Sequence, residues 1–301
     1  MDRLGTIWSD TMPELPEVEI VTRGLIPNVE GKTIQSVEVS DVVKRSKLQG
    51  KEAIIKGKVT EHFIDEMSGM TVERIERRSK YIYFHLMKDE KHYVLVNHLG
   101  MTGAWFYVQE LEEIPLEKYR KHAHVIFTLD DHHLLVYSDI RRFGELRLLN
   151  ELSDYRPLLQ LAPEPFDEAA ESFFIEKTKE PKYREKPIKA VIMDGQVISG
   201  CGNIYATESL FRCGIHPNRS TSLIEEDELR KLFQEIVNIL QESIEIGGSS
   251  VSDYVDTNGE AGSMQDRLQL YQKSICPVCH TPTEKMTIAG RTSVFCRKCQ
   301  K

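Results

Sequence analysis

The apolar pattern changes period once, near residue 150, and this change limits the possible folds more than any other feature of the 301-residue chain. Before it, short apolar stretches alternate with turns: Ile34, Val37 and Val39, then 81–86, 93–96, 104–108, 125–129 and 134–137. Repeated short β segments of this kind read as a sandwich or barrel. After it, 166–178, 188–193, 204–213 and 225–246 carry apolar residues at helical spacing, with Gly214 and Gly247 as stops. A short amphipathic helix precedes the strands, running from Pro16 through Val18, Val21 and Leu25 to a stop at Pro27 and Gly31. The expected class is α+β and multidomain, since a chain of this length exceeds a single core.

The last 36 residues hold Cys276-x2-Cys279-x16-Cys296-x2-Cys299. That is metal spacing, not a disulfide framework. Four thiolates suit one tetrahedral Zn²⁺ and leave no open position, so the expected ion is structural. His280 reads as a bystander, and Ala289-Gly290-Arg291 fits a β-hairpin tip. Cys201 and Cys213 are left over, expected as buried thiols in a reducing compartment.

Formal charge is −8, but its distribution matters more than its sum. Acid gathers at 110–117, 164–171 and 225–228, whereas 271–301 carries six Lys and Arg against Glu284 alone. Arg74, Arg77, Arg78 and Lys80 form a second basic cluster. These are surfaces where a phosphate backbone could lie. No apolar run approaches the ~20 residues that cross a bilayer, and residues 1–11 lack the features of a signal peptide. The expected setting is cytoplasmic, with no membrane partner.

Met12-Pro13-Glu14-Leu15-Pro16-Glu17-Val18-Glu19 carries the chemistry. If synthesis starts at Met12 and that methionine is removed, Pro13 becomes a free secondary amine beside a carboxylate. An α-amino group titrates near ~8, so a useful fraction is nucleophilic at neutral pH. A secondary amine attacking a sugar C1′ or an aldehyde gives an iminium directly, with Glu14 next door as acid/base. Residues 1–11 read as an artefact of start-site choice. If retained, they make the Pro13 nitrogen an amide and abolish that chemistry.

Further motifs follow in order: Arg77-Arg78-Ser79-Lys80-Tyr81, Asn97-His98-Leu99-Gly100-Met101-Thr102-Gly103, Asp139-Ile140-Arg141-Arg142-Phe143-Gly144 and Gly200-Cys201-Gly202-Asn203-Ile204-Tyr205-Ala206. With the opening motif and the cysteine tail, this series resembles the bacterial formamidopyrimidine-DNA glycosylases of base-excision repair. The resemblance implies an N-terminal β-sandwich with a short helix (13–148), a helix-two-turns-helix domain with a lesion-sensing loop (149–265) and a C-terminal β-hairpin zinc finger (266–301). It implies a monomer that removes oxidised purines from double-stranded DNA and then cuts at the abasic site.

Carried over residue by residue, the resemblance makes Pro13 the nucleophile and Glu14 the acid/base. Lys80 would transfer protons and contact phosphate, and Arg291 would bind phosphate and assist δ-elimination. Met101, Arg141 and Phe143 would fill the gap left by the flipped nucleotide, since glycines around them favour exposed loop tips. A thioether fills irregular gaps and an aromatic ring wedges between base steps. His122, Asn203, Lys189 and Arg184 would add DNA contacts, Asn203 as part of a helix N-terminus suited to phosphate. Glu17 reads equally as support for the site and as a first-turn carboxylate favoured by the helix dipole.

Two departures stand out. Ser263 and Met264 replace aromatics in the expected lesion loop, which predicts better excision of formamidopyrimidines than of 8-oxoguanine. The stretch between Ser40 and Thr71 is longer than usual and rich in Lys and Arg. Two other readings remain: a non-catalytic binder of damaged DNA, and the related endonuclease VIII branch that prefers oxidised pyrimidines. Leu15 and the trio Met101, Arg141 and Phe143 favour the purine branch.

Overall fold

The structure, a computed structural model, describes residues 12–51, 53–250 and 254–301. Residues 1–11, expected to be missing from the mature chain, lie outside these. Helix α1 (Leu15–Val29) opens the fold. Val18, Val21, Leu25 and Val29 are buried in the sandwich core, while Leu15 enters the core of the helical domain. Pro27 does not stop this helix; it sits in the last turn, where a missing N–H forfeits only one intrahelical bond. The chain turns away at Gly31, whose φ of +80° costs a glycine little.

The sandwich then runs through β1 (Ile34–Val39), α2 (Asp41–Leu48), β2 (Ile54–Ile55), α3 (Thr60–Met67), β3 (Thr71–Arg78), β4 (Tyr81–Lys88) and β5 (Lys91–His98). It continues through β6 (Gly103–Val108), α4 (Glu117–Arg120), β7 (Ala123–Leu129), β8 (Leu134–Asp139) and β9 (Glu145–Leu149). One sheet has the order β1-β7-β8-β6 and the other β2-β9-β5-β4-β3. Their facing sides meet around Phe84, Trp105, Phe127 and Tyr137. Strand β3 escapes the apolar pattern because it is an edge strand, with only Val72 and Ile75 buried among charged residues.

The helical domain comprises α5 (Arg156–Leu159), α6 (Ala170–Lys179), α7 (Pro181–Arg184), α8 (Ile188–Ile192), α9 (Asn203–Arg212) and α10 (Glu226–Glu245). Helix α6 begins at Ala170, not at Phe166, because 165–169 form turns; the Asp167 carboxylate accepts the Glu164 N–H at 3.1 Å. The tail is a hairpin of β10 (Glu284–Ile288) and β11 (Arg291–Phe295). Ala289 and Gly290 turn it with φ of 49° and 72°, the left-handed pair a two-residue hairpin loop needs.

Two sets of contacts join the domains. Two of the four residues of the expected basic cluster, Arg77 and Arg78, turn inward, while Arg74 stays exposed and Lys80 lines a cleft. Arg77 pairs with Glu19 at 2.6 Å and Glu164 at 2.6 Å, and Arg78 pairs with Glu164 at 2.8 Å and bonds Ser199 at 3.0 Å. Guanidiniums spent on these carboxylates are not available to phosphate, a correction to the charge reading. The segment after α10 also crosses back onto the sandwich. Tyr254 joins the main core and Val255 packs with Ala104, Phe106 and Val136, although the sequence reading placed both in the helical domain.

Candidate active site and nucleic-acid interface

Helix α9 organises the site. Its first turn lacks intrahelical acceptors for its N–H groups, and the Glu14 carboxylate supplies them. Glu14 accepts the N–H of Gly202 at 2.8 Å and of Ile204 at 2.8 Å, with Tyr205 at 3.4 Å. The helix N-terminus expected to hold a phosphate is therefore occupied by Glu14 itself. Burial raises the Glu14 pKa, while Lys80 and these backbone bonds oppose that rise. A raised pKa makes a carboxyl a better proton donor, which suits proton transfer.

Gly202 has to be small. A Cβ there would lie 2.5 Å from Glu14 Oε1 and 2.7 Å from Lys80 Nζ, so this loop brings the carboxylate and the ammonium together. Met12, Glu14, Lys80, Asn203 and Arg291 line one cleft of about 320 Å³. The Asn203 amide donates to Thr292 O at 3.3 Å, tying the helix start to the hairpin that carries Arg291. Four residues from distant parts of the sequence thus converge around the residue that precedes Pro13, which is itself buried.

Glu17 buttresses Glu14 from beneath. It accepts the Glu14 N–H at 2.9 Å, the Tyr205 hydroxyl at 2.6 Å and the Ser249 N–H at 2.7 Å. Burial pushes its pKa up to about 7, opposed by the Tyr205 bond and reinforced by Glu14. Position in the first turn gave no hint of this, because the partners come from α9 and from the segment after α10.

His98 is a member of the site that sequence reasoning quoted in a motif but gave no role. Its Nδ1 accepts the Gly100 N–H at 3.1 Å, and burial together with Lys80 lowers its pKa to about 4. Its adjacency to Gly100 within the motif was the available signal.

The gap-filling trio divides. Phe143 is exposed, with 57% of its surface accessible, and Arg141 stacks over its ring at 4.9 Å. Met101, expected at an exposed tip, is 9% accessible. A Cβ on Gly100 would lie 2.5 Å from Gly144 N and 2.6 Å from Phe143 C, so the two loops lie backbone against backbone and Met101 is shielded. Asp139 locks them together, accepting the Thr102 hydroxyl at 2.6 Å and the N–H groups of Arg141, Arg142 and Gly144 at 3.2, 3.0 and 2.7 Å.

The remaining contacts expected from the resemblance separate further. His122 is half-buried in the turn just before β7, its Nδ1 2.7 Å from Lys118 O. Lys189 is corrected: it is fully buried, donates to Thr207 Oγ1 at 2.8 Å and is pulled down to about 7 by burial. A side chain so enclosed cannot reach a phosphate outside. Arg184 is exposed but lines another cleft, with Lys179, Thr221 and Glu226. Ser263 donates to Ile246 O at 2.8 Å, and Met264 is wholly inside the helical core. Met264, so enclosed, cannot read a lesion, whereas Ser263 is exposed, so one of the two residues behind the expected preference for formamidopyrimidines drops out.

The tail holds a cluster able to bind a metal ion: the Sγ atoms of Cys276, Cys279, Cys296 and Cys299 all lie within 4.8 Å of one another. Cys276–Cys299 is 3.8 Å and Cys279–Cys296 is 3.4 Å. A tetrahedron with metal–sulfur bonds of ~2.3 Å has edges of roughly that length. Glu208, on α9, anchors the lead into this hairpin by accepting the N–H groups of Gln269, Leu270 and Tyr271 at 2.7, 2.8 and 2.6 Å.

Sandwich, helical domain, cysteine hairpin and the cleft between them define a known class, and comparison with known proteins agrees. Residues 12–146 match the formamidopyrimidine-DNA glycosylase N-terminal domain and 161–255 match the H2TH domain of the same family. The formamidopyrimidine-DNA glycosylase of an Exiguobacterium species is 38% identical, covering 96% of this chain and all of that protein. That of Bacillus subtilis is 38% identical over 96% of this chain and 99% of its own. Among solved structures, Lactococcus lactis Fpg bound to abasic-site DNA superposes with a TM-score of 0.78 at 32% identity, covering 96% and 99% of the two chains. A mutant of it with Fapy-dG DNA gives 0.79 at 33%, covering 96% and 100%. The chain belongs to the formamidopyrimidine-DNA glycosylase family. Among the described residues, no helix is long and apolar enough to cross a membrane.

Proposed function

We propose that this chain is a base-excision-repair glycosylase and abasic-site lyase acting on oxidised purines in duplex DNA, with Pro13 as nucleophile. The observation that carries the reading is the convergence of Glu14, Lys80, Asn203 and Arg291 on the cleft at the start of α1. The family match beginning at residue 12 supports Met12 as the start and Pro13 as the mature terminus. DNA in the complexes of the Lactococcus lactis relative supports a damaged duplex as substrate.

The Pro13 nitrogen forms a bond to C1′ of the flipped nucleotide as the C1′–base bond breaks and the base leaves with its electron pair and a proton. Glu14 protonates the ring oxygen as the sugar opens, leaving an iminium between Pro13 and C1′. Loss of a C2′ proton expels the 3′ phosphate, and a second elimination expels the 5′ phosphate. Water then releases the sugar remnant and regenerates the amine. Lys80 and Arg291 offset the charge of the flanking phosphates, and Lys80 moves protons alongside Glu14. Zn²⁺ held by the four cysteines would supply no step; it would fix the hairpin that presents Arg291, in a reducing interior that keeps thiols free.

Incubation with an end-labelled duplex carrying one oxidised purine tests this reading. The expected product is a one-nucleotide gap with phosphate at both ends. Release of base with the strand left intact would remove the lyase half, and no release would favour a non-catalytic binder.

A further inference from the structure

The Lys- and Arg-rich stretch after Ser40 has no part in the chemistry above, yet the fold places it beside the wedge. In the sheet ordered β1-β7-β8-β6, four chain ends share one edge: the end of β1, the start of β7, the end of β8 and the start of β6. The register fixes this, with Val39 opposite Val125 and Gly103 opposite Asp139. The loops carrying His122, Arg141–Phe143 and Met101 all leave from that edge. So does α2, which begins directly after Ser40. Ser40 is pinned to His124, its N–H donating to His124 O at 2.9 Å and its Oγ 2.8 Å from Nδ1. The His124 ring lies 6.1 Å from that of His122. The stretch ends at β2, whose Ile54 pairs with Glu145, the residue after Gly144 of the wedge loop. Residues 41–51 and 53 therefore flank this loop from one sheet to the other.

Their charge differs from that of the molecule as a whole. Between Asp41 and Lys51 the sequence has four basic residues against one acid, in a chain of net charge −8. Arg45 and Lys51 are exposed and Lys44 is half-exposed. The Arg45 contact with Asp41 is 3.7 Å between two largely exposed side chains, a pairing too weak to withhold it from a phosphate. Val43 anchors the helix in the sandwich core, so these charges are held in place.

We infer that α2 is an additional duplex-binding element: Lys44 and Arg45 contact the phosphate backbone beyond the wedge, on the sandwich side of the cleft. Two strand spacings of ~4.8 Å separate β1 from β8, and a helix of this length spans ~12 Å. Both lie within reach of a duplex seated on Phe143. The inference rests on the wedge reading for where the duplex lies, but on no step of catalysis.

The test is the salt dependence of binding to a long duplex with an uncleavable abasic analogue, measured by fluorescence anisotropy. Each phosphate neutralised adds ~0.9 to the slope of log K against log salt. The double variant Lys44→Gln/Arg45→Gln should lower the slope by about 1 to 2 and weaken binding several-fold near ~0.15 M salt. Lys91→Glu removes the same net charge at the far end of β5, where Lys91 pairs with Lys88, and should leave the slope unchanged. An unaltered slope in the double variant, or an equal fall in Lys91→Glu, overturns the proposal. Excision at saturating protein separates the two readings: it should persist in the double variant, and its absence in the unmodified chain too would count against the catalytic reading alone.

Discussion

At the scale of single residues, two buried carboxylates with different partners divide the labour. Glu14 faces the cleft and Lys80, whereas Glu17 faces inward to Tyr205 and Ser249. Replacing Glu14 with Gln keeps an acceptor for α9 but removes the proton, so base excision should fall by ~10²–10⁴-fold. Trapping on a preformed abasic site should suffer far less, since an open aldehyde has no ring oxygen left for Glu14 to protonate. Single-turnover assays on the two substrates read this contrast, and an equal loss on both would contradict it. Glu17 gives a pH signature. Its folded pKa of about 7 lies above the ordinary 4.5, so its stabilising contribution is complete below the unfolded value and is lost as pH rises through 7. Between pH ~5 and ~8 the unmodified protein should lose stability relative to Glu17→Gln, by up to about 3 kcal/mol. Melting curves of both across that range check it, and a pH-independent difference would show that Glu17 does not titrate there. Phe143, being exposed, should be replaceable by Ala within about 0.5 kcal/mol of stability. Lesion-duplex binding should weaken by about 1–3 kcal/mol, roughly five- to 150-fold, as a stacking contact is lost.

At the scale of elements, the proposed wedge is two loops joined by one carboxylate. Asp139 is inaccessible and accepts four hydrogen bonds. Asp139→Asn replaces one acceptor oxygen with a donor and should cost about 1–3 kcal/mol. It should also reduce discrimination between lesion and undamaged duplexes, because Phe143 loses its fixed position; competition binding measures this, and intact discrimination would argue against the locking role. Sequence reasoning found the elements where their signals are local. Alternating apolar residues marked the central strands, Gly214 and Gly247 marked helix ends, and cysteine spacing marked the hairpin. It failed where the deciding partner is distant. Nothing near Lys189 says that α9 closes over it, and nothing near Arg77 says that Glu164 will take its charge. Met101 looked exposed because glycines surround it, yet those glycines serve to bring two backbones together.

At the scale of the whole molecule, α1 and α9 form the joint on which three units meet. Leu15 and Val18 on α1 enter different cores, and α9 holds Glu14 at one end and the cysteine hairpin, through Glu208, nearer the other. Metal binding is coupled to folding of a cluster like this one, so chelation should release Arg291 from the cleft while leaving the sandwich folded. Duplex binding should then collapse with the main melting transition retained, and added Zn²⁺ should restore it. The central claim concerns the nitrogen at the start of α1. Borohydride reduction of a lesion-duplex reaction, followed by mass spectrometry of the cross-linked peptide, tests it most directly. The account predicts an adduct on a peptide whose first residue is Pro13. An adduct on Lys80 or Lys189, or none from a chain that begins at Pro13, would contradict it.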